Sequence, residues 1–304
     1  MENHNHPHHN HNHNHSHALT SLNRAFMVGI ILNLAFVVVE FTMGFLSDSV
    51  GLLSDAGHNM SDVVSLVLAM LAFRLSKTQA NKKHTYGYKK VTILVSLVNA
   101  VILLFAVAFI VVESIEKFIH PQTVNGSIII WTAAIGVIIN SATAWFFVRE
   151  KDKDLNVKGA YLHMAADALV SVGVVVSGII VLTTGWYLID PIIGLIIAGV
   201  IVFSTWNLLR ESLNLSIDGV PSNINYEKIK QIIMSNSDIK EIHHLHIWAL
   251  STTENALTAH IVLSDMNKME TVKTNIKHIL HDVGINHATL EFEPENIKCE
   301  DAWD

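Results

Sequence analysis

The sequence predicts an α-helical polytopic membrane domain of six transmembrane helices, joined to a small α+β, ferredoxin-like cytoplasmic domain of αββαβ order. Three observations carry this expectation. Half of the 304 residues are hydrophobic and only 15% are charged, too apolar a balance for an ordinary soluble domain. The apolar residues fall into six runs of about 20, each long enough to cross a bilayer as a helix. From about residue 211 onward the composition turns polar and mixed, as in a soluble domain.

Taken in chain order, residues 1–20 form a low-complexity tail. His4, His6, His8, His9, His11, His13, His15 and His17 are separated mainly by asparagine. Such a tract cannot build a core, so a disordered tail that collects metal weakly is expected. The alternation differs from the uninterrupted run of a purification tag. The N-terminus has no basic stretch before an apolar core, so no cleavable signal peptide is expected.

The transmembrane domain is placed at residues 21–210, with spans near 25–46, 50–75, 92–112, 127–148, 160–183 and 189–209. The link between spans two and three carries Lys77, Lys82, Lys83, Lys89 and Lys90, and that between spans four and five carries Arg149, Lys151, Lys153 and Lys158. The remaining links hold only Lys117. Basic links face the cytoplasm, which puts both termini there too. A bacterial inner or plasma membrane is the expected location of this multi-pass protein, which the charge pattern itself does not specify.

The cytoplasmic domain is placed at residues 211–304. Residues 225–236 and 267–283 have helical periodicity, while 241–250, 256–263 and 287–293 read as strands. A domain this small gains from dimerisation, which enlarges its core. The net charge of −7 gives no sign of a nucleic-acid partner, and a single cysteine, Cys299, excludes an internal disulfide.

The chemistry lies in two repeated pairs. His58 and Asp62 stand four residues apart in span two, and His163 and Asp167 four apart in span five. Four residues is about one helical turn, so each pair shares a face. Ionisable groups at that depth are costly and face a bundle interior or a water-filled path. Two facing pairs supply two imidazole nitrogens and two carboxylate oxygens, a donor set suited to tetrahedral Zn²⁺. A lone pair of this kind reads equally as hydrogen-bonding glue between helices; the repetition favours metal.

These residues resemble the cation diffusion facilitator family, in its zinc-transporting branch. The segment from Ser47 to Asp62 is similar to that family's first-to-second-span signature, and Tyr161-Leu-His-Met-Ala-Ala-Asp167 to its fifth-span motif. His84-Thr-Tyr-Gly-Tyr88, Asp190-Pro191 with Gly194, and His243-His-Leu-His-Ile-Trp248 resemble the loop before span three, the start of span six and the first cytoplasmic strand. The resemblance implies a homodimeric exporter of Zn²⁺ driven by protons, with His58, Asp62, His163 and Asp167 as the transport site. Zn²⁺ is then substrate rather than cofactor, with Cd²⁺, Co²⁺ and Ni²⁺ as further candidates. It also implies a second site in the cytoplasmic domain at His243, His260 and Glu293, with Cys299 just beyond. Two departures bear on the loop: Lys90-Val91-Thr92 lacks the acidic residue often found there, and Tyr88 stands where some members carry a second histidine. His84 is thus a weak loop candidate.

Alternation along the first cytoplasmic strand places His244 and His246 on the opposite face from His243. Among other intramembrane polar groups, Asn33, Asn99 and Asn140 are expected to join helices by hydrogen bonds. Glu40 is expected to pair with a neighbouring helix or assist proton entry. Asp55 is expected to orient the His58 ring, and Asp190 to cap span six. The rival readings are an intramembrane zinc enzyme and a metal sensor that does not transport. The absence of a His-Glu-x-x-His run and a closed four-ligand set disfavour the enzyme.

Overall fold

The computed structural model describes residues 15–46, 50–120, 126–186 and 188–295; within these, nothing is described of the side chains of residues 15–23, 43–46, 50–55, 57, 58, 61, 113, 126–129 and 190. Six long helices come first: α1 (His15–Leu46), α2 (Val50–Leu75), α3 (Val91–Ile119), α4 (Gly126–Phe147), α5 (Leu155–Thr184) and α6 (Ile189–Ser216). Among the described residues, α1 and α3 to α6 contain stretches long and apolar enough to cross a membrane. The sixth helix, α2, packs with them against α1, α3 and α5. Phe105, Trp131, Trp145 and Phe203 are 72–79% exposed, an exposure that suits lipid rather than water.

The expected spans fall within these helices, save that the fourth overruns α4 by one residue, but several helix ends lie elsewhere. The helix α1 begins at His15, inside the stretch expected to be tail; α5 begins at Leu155, α3 runs on to Ile119 and α6 to Ser216. Hydropathy marks where lipid stops, whereas a helix ends where its last backbone groups find other partners. At α5 that partner is the carboxylate of Asp154, which accepts from the backbone N–H groups of Asn156 and Val157. Asp190 does not cap α6. Leu188 holds the cap position and Asp190 falls inside the first turn, where a negative charge suits the helix dipole.

The helix α5 is the hub of the bundle. It joins a core with α1, α2 and α4 through Phe26, Leu66, Phe147 and Met164, and a second core with α3 and α6 through Val107, Ala166, Ile197 and Ile201. Gly173 lets α6 approach closely: a Cβ there would lie 2.5 Å from Ile197 Cδ1.

Beyond α6 come α7 (Tyr226–Met234), β1 (Ile239–Ala249), β2 (Asn255–Leu263), α8 (Met269–Asp282) and β3 (Ile285–Pro294), the expected αββαβ order. The sheet runs β1-β2-β3, with β1 and β2 antiparallel and β2 and β3 parallel. Ile229, Ile233, Ile242, Ile247, Leu257, Ile261, Ile276 and Leu280 form one core between the helices and one face of the sheet. The β1–β2 turn reaches the bundle. The Thr252 hydroxyl donates to Asp154 Oδ2 at 2.7 Å, the Thr252 backbone N–H donates to Thr92 Oγ1 at 3.1 Å, and Lys89 pairs with Glu254. Lys90 pairs with Asp218 at 2.5 Å.

Ile261 is fully buried at the centre of the domain core. Replacing it with alanine should cost about 2–5 kcal/mol. Chemical denaturation of a fragment spanning 221–295 measures this, and a loss below about 1 kcal/mol would place Ile261 outside the core.

Candidate metal centres

The first centre sits where α5 crosses α2. Asp62 and His163 are buried, and His163 Nε2 lies 2.5 Å from Asp62 Oδ1 and 3.8 Å from Asp167 Oδ2. One ligand atom from each of the three residues lies within 4.8 Å of the others. Donors about 2.0–2.2 Å from a tetrahedral Zn²⁺ stand about 3.3 Å apart, between the two distances seen. Asp62 Oδ2 has no hydrogen-bond partner among the described residues. The structure thus draws together three of the four residues singled out in the spans. The side chains of His58, the fourth, and of Asp55 lie outside the described residues.

The polar groups around this centre divide. Asn59 Nδ2 donates to Glu40 Oε2 at 2.6 Å, so Glu40 is paired with α2, one of the two roles expected of it. Asn33 Nδ2 donates to Gly29 O at 2.9 Å and reaches Thr143 Oγ1 at 3.4 Å, tying α1 to α4. In Asn99 and Asn140, as in Asn33, the side-chain oxygen is buried without a hydrogen bond among the described residues.

The second centre lies on the face of the sheet away from the helices. His243 and His260 are directly opposite in the β1–β2 register. His260 Nδ1 is 2.7 Å from Glu293 Oε1, His243 Nε2 is 3.4 Å from Glu293 Oε2, and His260 Nε2 is 3.4 Å from Glu291 Oε2. His243 Nε2 and Glu293 Oε2 are both buried without a hydrogen bond among the described residues. Cys299 lies outside the described residues. His84 does not join a cluster of metal-ligating side chains among the described residues; it is exposed and its ring stacks on Tyr88 at 4.5 Å.

Simple alternation misplaced His244 and His246. The register shifts by one residue between His243 and His246, and His244 has φ +48°. This bulge turns His244 back to the face of His243 and reverses the phase beyond it. Leu245 and Ile247 therefore point into the core while His246 is exposed. The His244 ring lies 5.2 Å from that of His243 and 5.0 Å from that of His260. Three histidines within four residues hinted at the cluster, but no local pattern announces a bulge.

Comparison with known proteins covers both halves. Residues 26–215 match the cation efflux transmembrane domain, and residues 221–295 the cytoplasmic domain of cation efflux proteins. A cadmium, cobalt and zinc/H⁺-K⁺ antiporter of Bacillus subtilis is 34% identical over 277 residues, covering 90% of this chain and 89% of its own length. The zinc transporter ZitB of Escherichia coli is 33% identical over 261 residues, covering 85% and 83%. The metal cation efflux system protein CzcD of Cupriavidus metallidurans is 34% identical over 272 residues, covering 89% and 86%.

If the sheet-face cluster binds zinc, the metal should raise the melting temperature of the 221–295 fragment, because a ligand of the folded form alone stabilises it. His260→Ala should remove most of that shift and His244→Ala part of it. Equal shifts in wild type and His260→Ala would assign the binding to other groups.

Proposed function

The chain belongs to the cation efflux family, and on that premise we propose that it is a secondary transporter exporting Zn²⁺ from the cytoplasm in exchange for protons. The observation that carries this reading is the buried cluster of Asp62, His163 and Asp167, two carboxylates and an imidazole converging where two membrane helices cross. His58, one turn before Asp62, completes a tetrahedral donor set in this proposal. Relatives named as zinc transporters, and one named for cadmium, cobalt and zinc, support the substrate class.

Coupling follows from shared atoms. Zinc needs neutral imidazole and ionised carboxylate, so protons and metal compete for the same lone pairs. The 2.5 Å contact between His163 Nε2 and Asp62 Oδ1 is one that a single shared proton satisfies. Metal loads from the cytoplasm and protons displace it on the far side. The protonated site then returns by rocking of helices around a fixed centre. Histidine among the ligands tilts choice toward Zn²⁺, Cd²⁺, Co²⁺ and Ni²⁺ and away from harder ions.

The basic links before α3 and α5 contact the C-terminal domain, which supports placing both on the cytoplasmic side. The domain acts as a homodimer clamp in this reading, and its sheet-face cluster senses cytosolic zinc. We infer no enzymatic role; the protein works as a carrier.

Zinc uptake into everted vesicles tests the assignment. Asp167→Ala should abolish uptake while the protein still inserts, and near-normal uptake would remove Asp167 from the site. His58→Asp exchanges a nitrogen for a harder oxygen, which suits harder or larger ions, so transport of Mn²⁺ (harder) or Cd²⁺ (larger) should rise relative to Zn²⁺. An unchanged metal ranking would locate selectivity elsewhere. Deleting residues 1–17 should slow transport mainly at low free zinc; complete loss at saturating zinc would rule out a collecting role for the tail.

A further inference from the structure

Between the first metal centre and the end of the bundle that carries the C-terminal domain lies a file of buried polar atoms that no helix-to-helix bond among the described residues accounts for. Ser65 stands three residues after Asp62 on α2, one turn toward that end. Asn99 approaches from α3. Asn156 stands in the first turn of α5, and Asn156, Ala160, His163 and Asp167 follow at helical spacing along one face. Ser65, Asn99 and Asn156 are 6%, 5% and 1% exposed. Ser65 Oγ, Asn99 Oδ1 and both side-chain polar atoms of Asn156 have no hydrogen-bond partner among the described residues. Ser65, Leu66, Asn99, Leu103, Gly159, Ala160 and His163 surround one small cavity of about 10 Å³, room for a single water. Gly159 borders this space, with Leu208 Cδ2 3.5 Å and Asn99 Cβ 3.8 Å from where a Cβ would stand.

Stranded polar groups inside a membrane are costly, and they are found where they line a cavity or a substrate path. Among the described residues the oxygens of these three side chains make no tie between helices. An anion is a poor occupant, because Asp62 Oδ2 ends the file and the unpartnered atoms are oxygens apart from Asn156 Nδ2. Oxygens in series are suited to a cation that exchanges its water shell stepwise. Because Ser and Asn oxygens are neutral, they hold the ion less firmly than the carboxylates beyond, as conduction requires.

We infer that the α2/α3/α5 seam, through Asn156, Asn99 and Ser65, is the route by which a divalent cation reaches the Asp62/His163/Asp167 centre from the side of the C-terminal domain. In the conformation described the route has closed to the width of one water, and entry requires α3 to move away from α5. The inference rests on the transport reading above and adds the residues of the path to it.

The test uses the full-length protein in proteoliposomes, with Zn²⁺ as the probe, beside equilibrium zinc binding in detergent. Binding to the centre is the component that Asp62→Ala removes. Asn99→Leu fills the seam with an apolar side chain. Its initial transport rate should fall by about tenfold or more, equivalent to about 1.4 kcal/mol of barrier, while zinc binding at the centre is retained. Asn99→Ser restores an oxygen and should recover most of the rate. A wild-type rate in Asn99→Leu overturns the route; so does an Asn99→Ser as slow as Asn99→Leu, which would make the amide a structural tie. If Asn99→Leu does not elute as a monodisperse protein, Asn156→Leu, nearer the mouth, carries the same expectations. Failure of the wild type to move zinc would overturn the transport reading, and this inference with it.

Discussion

Everything in the membrane half is arranged around the cost of keeping Asp62, His163 and Asp167 out of water. An ionised carboxylate in an apolar medium is expensive unless paired. Here two carboxylates converge on one imidazole, and the two helices that carry them are held in register by apolar packing on both sides. The pairing needs little precision from any single bond, because α5 is fixed by two cores at once. A shift of α5 along its axis would separate His163 from Asp62 and strand both. The contact is thus stabilised by the same packing that would have to change for the centre to open to the other side.

The soluble half uses a different solution for a similar donor set. There the sheet supplies the rigidity, and His243, His260 and Glu293 stand on three adjacent strands at half-buried positions. The cost of desolvation is smaller, and the apo cluster is partly satisfied by contacts such as His260 to Glu293. Burial thus distinguishes the two centres: one sits where charge is hard to tolerate without a partner, the other where it is tolerated either way.

Periodicity exposed what depends on spacing alone. The repeated four-residue offset identified Asp62, His163 and Asp167, and the alternation of β-branched and polar residues produced the αββαβ order. What spacing cannot carry stayed hidden. His244 required a bulge, which reverses the face of every later residue in β1. The capping of α5 by Asp154 displaced its start by five residues from the hydropathic edge at Ala160 to Leu155. Asn99 resembled the helix-tying asparagine that Asn33 proved to be; the side-chain oxygen of each is unpartnered among the described residues, and it is the Asn33 amide nitrogen, donating to Gly29 O and Thr143 Oγ1, that makes the tie.

Asp154 divides its two oxygens between neighbours far apart in the chain: Oδ1 closes the first turn of α5, while Oδ2 accepts from Thr252. The order of synthesis gives this a temporal meaning. Chains fold largely from the N-terminus as they emerge, so all six long helices are made before residue 252 exists. Oδ1 can cap α5 at once, but Oδ2, Thr92 and Lys89 must wait for the β1–β2 turn. The helix bearing His163 and Asp167 therefore takes its apolar neighbours first and gains its tie to Thr252 last, so a nascent bundle lacking the soluble domain is packed but not yet pinned at the end where that domain sits.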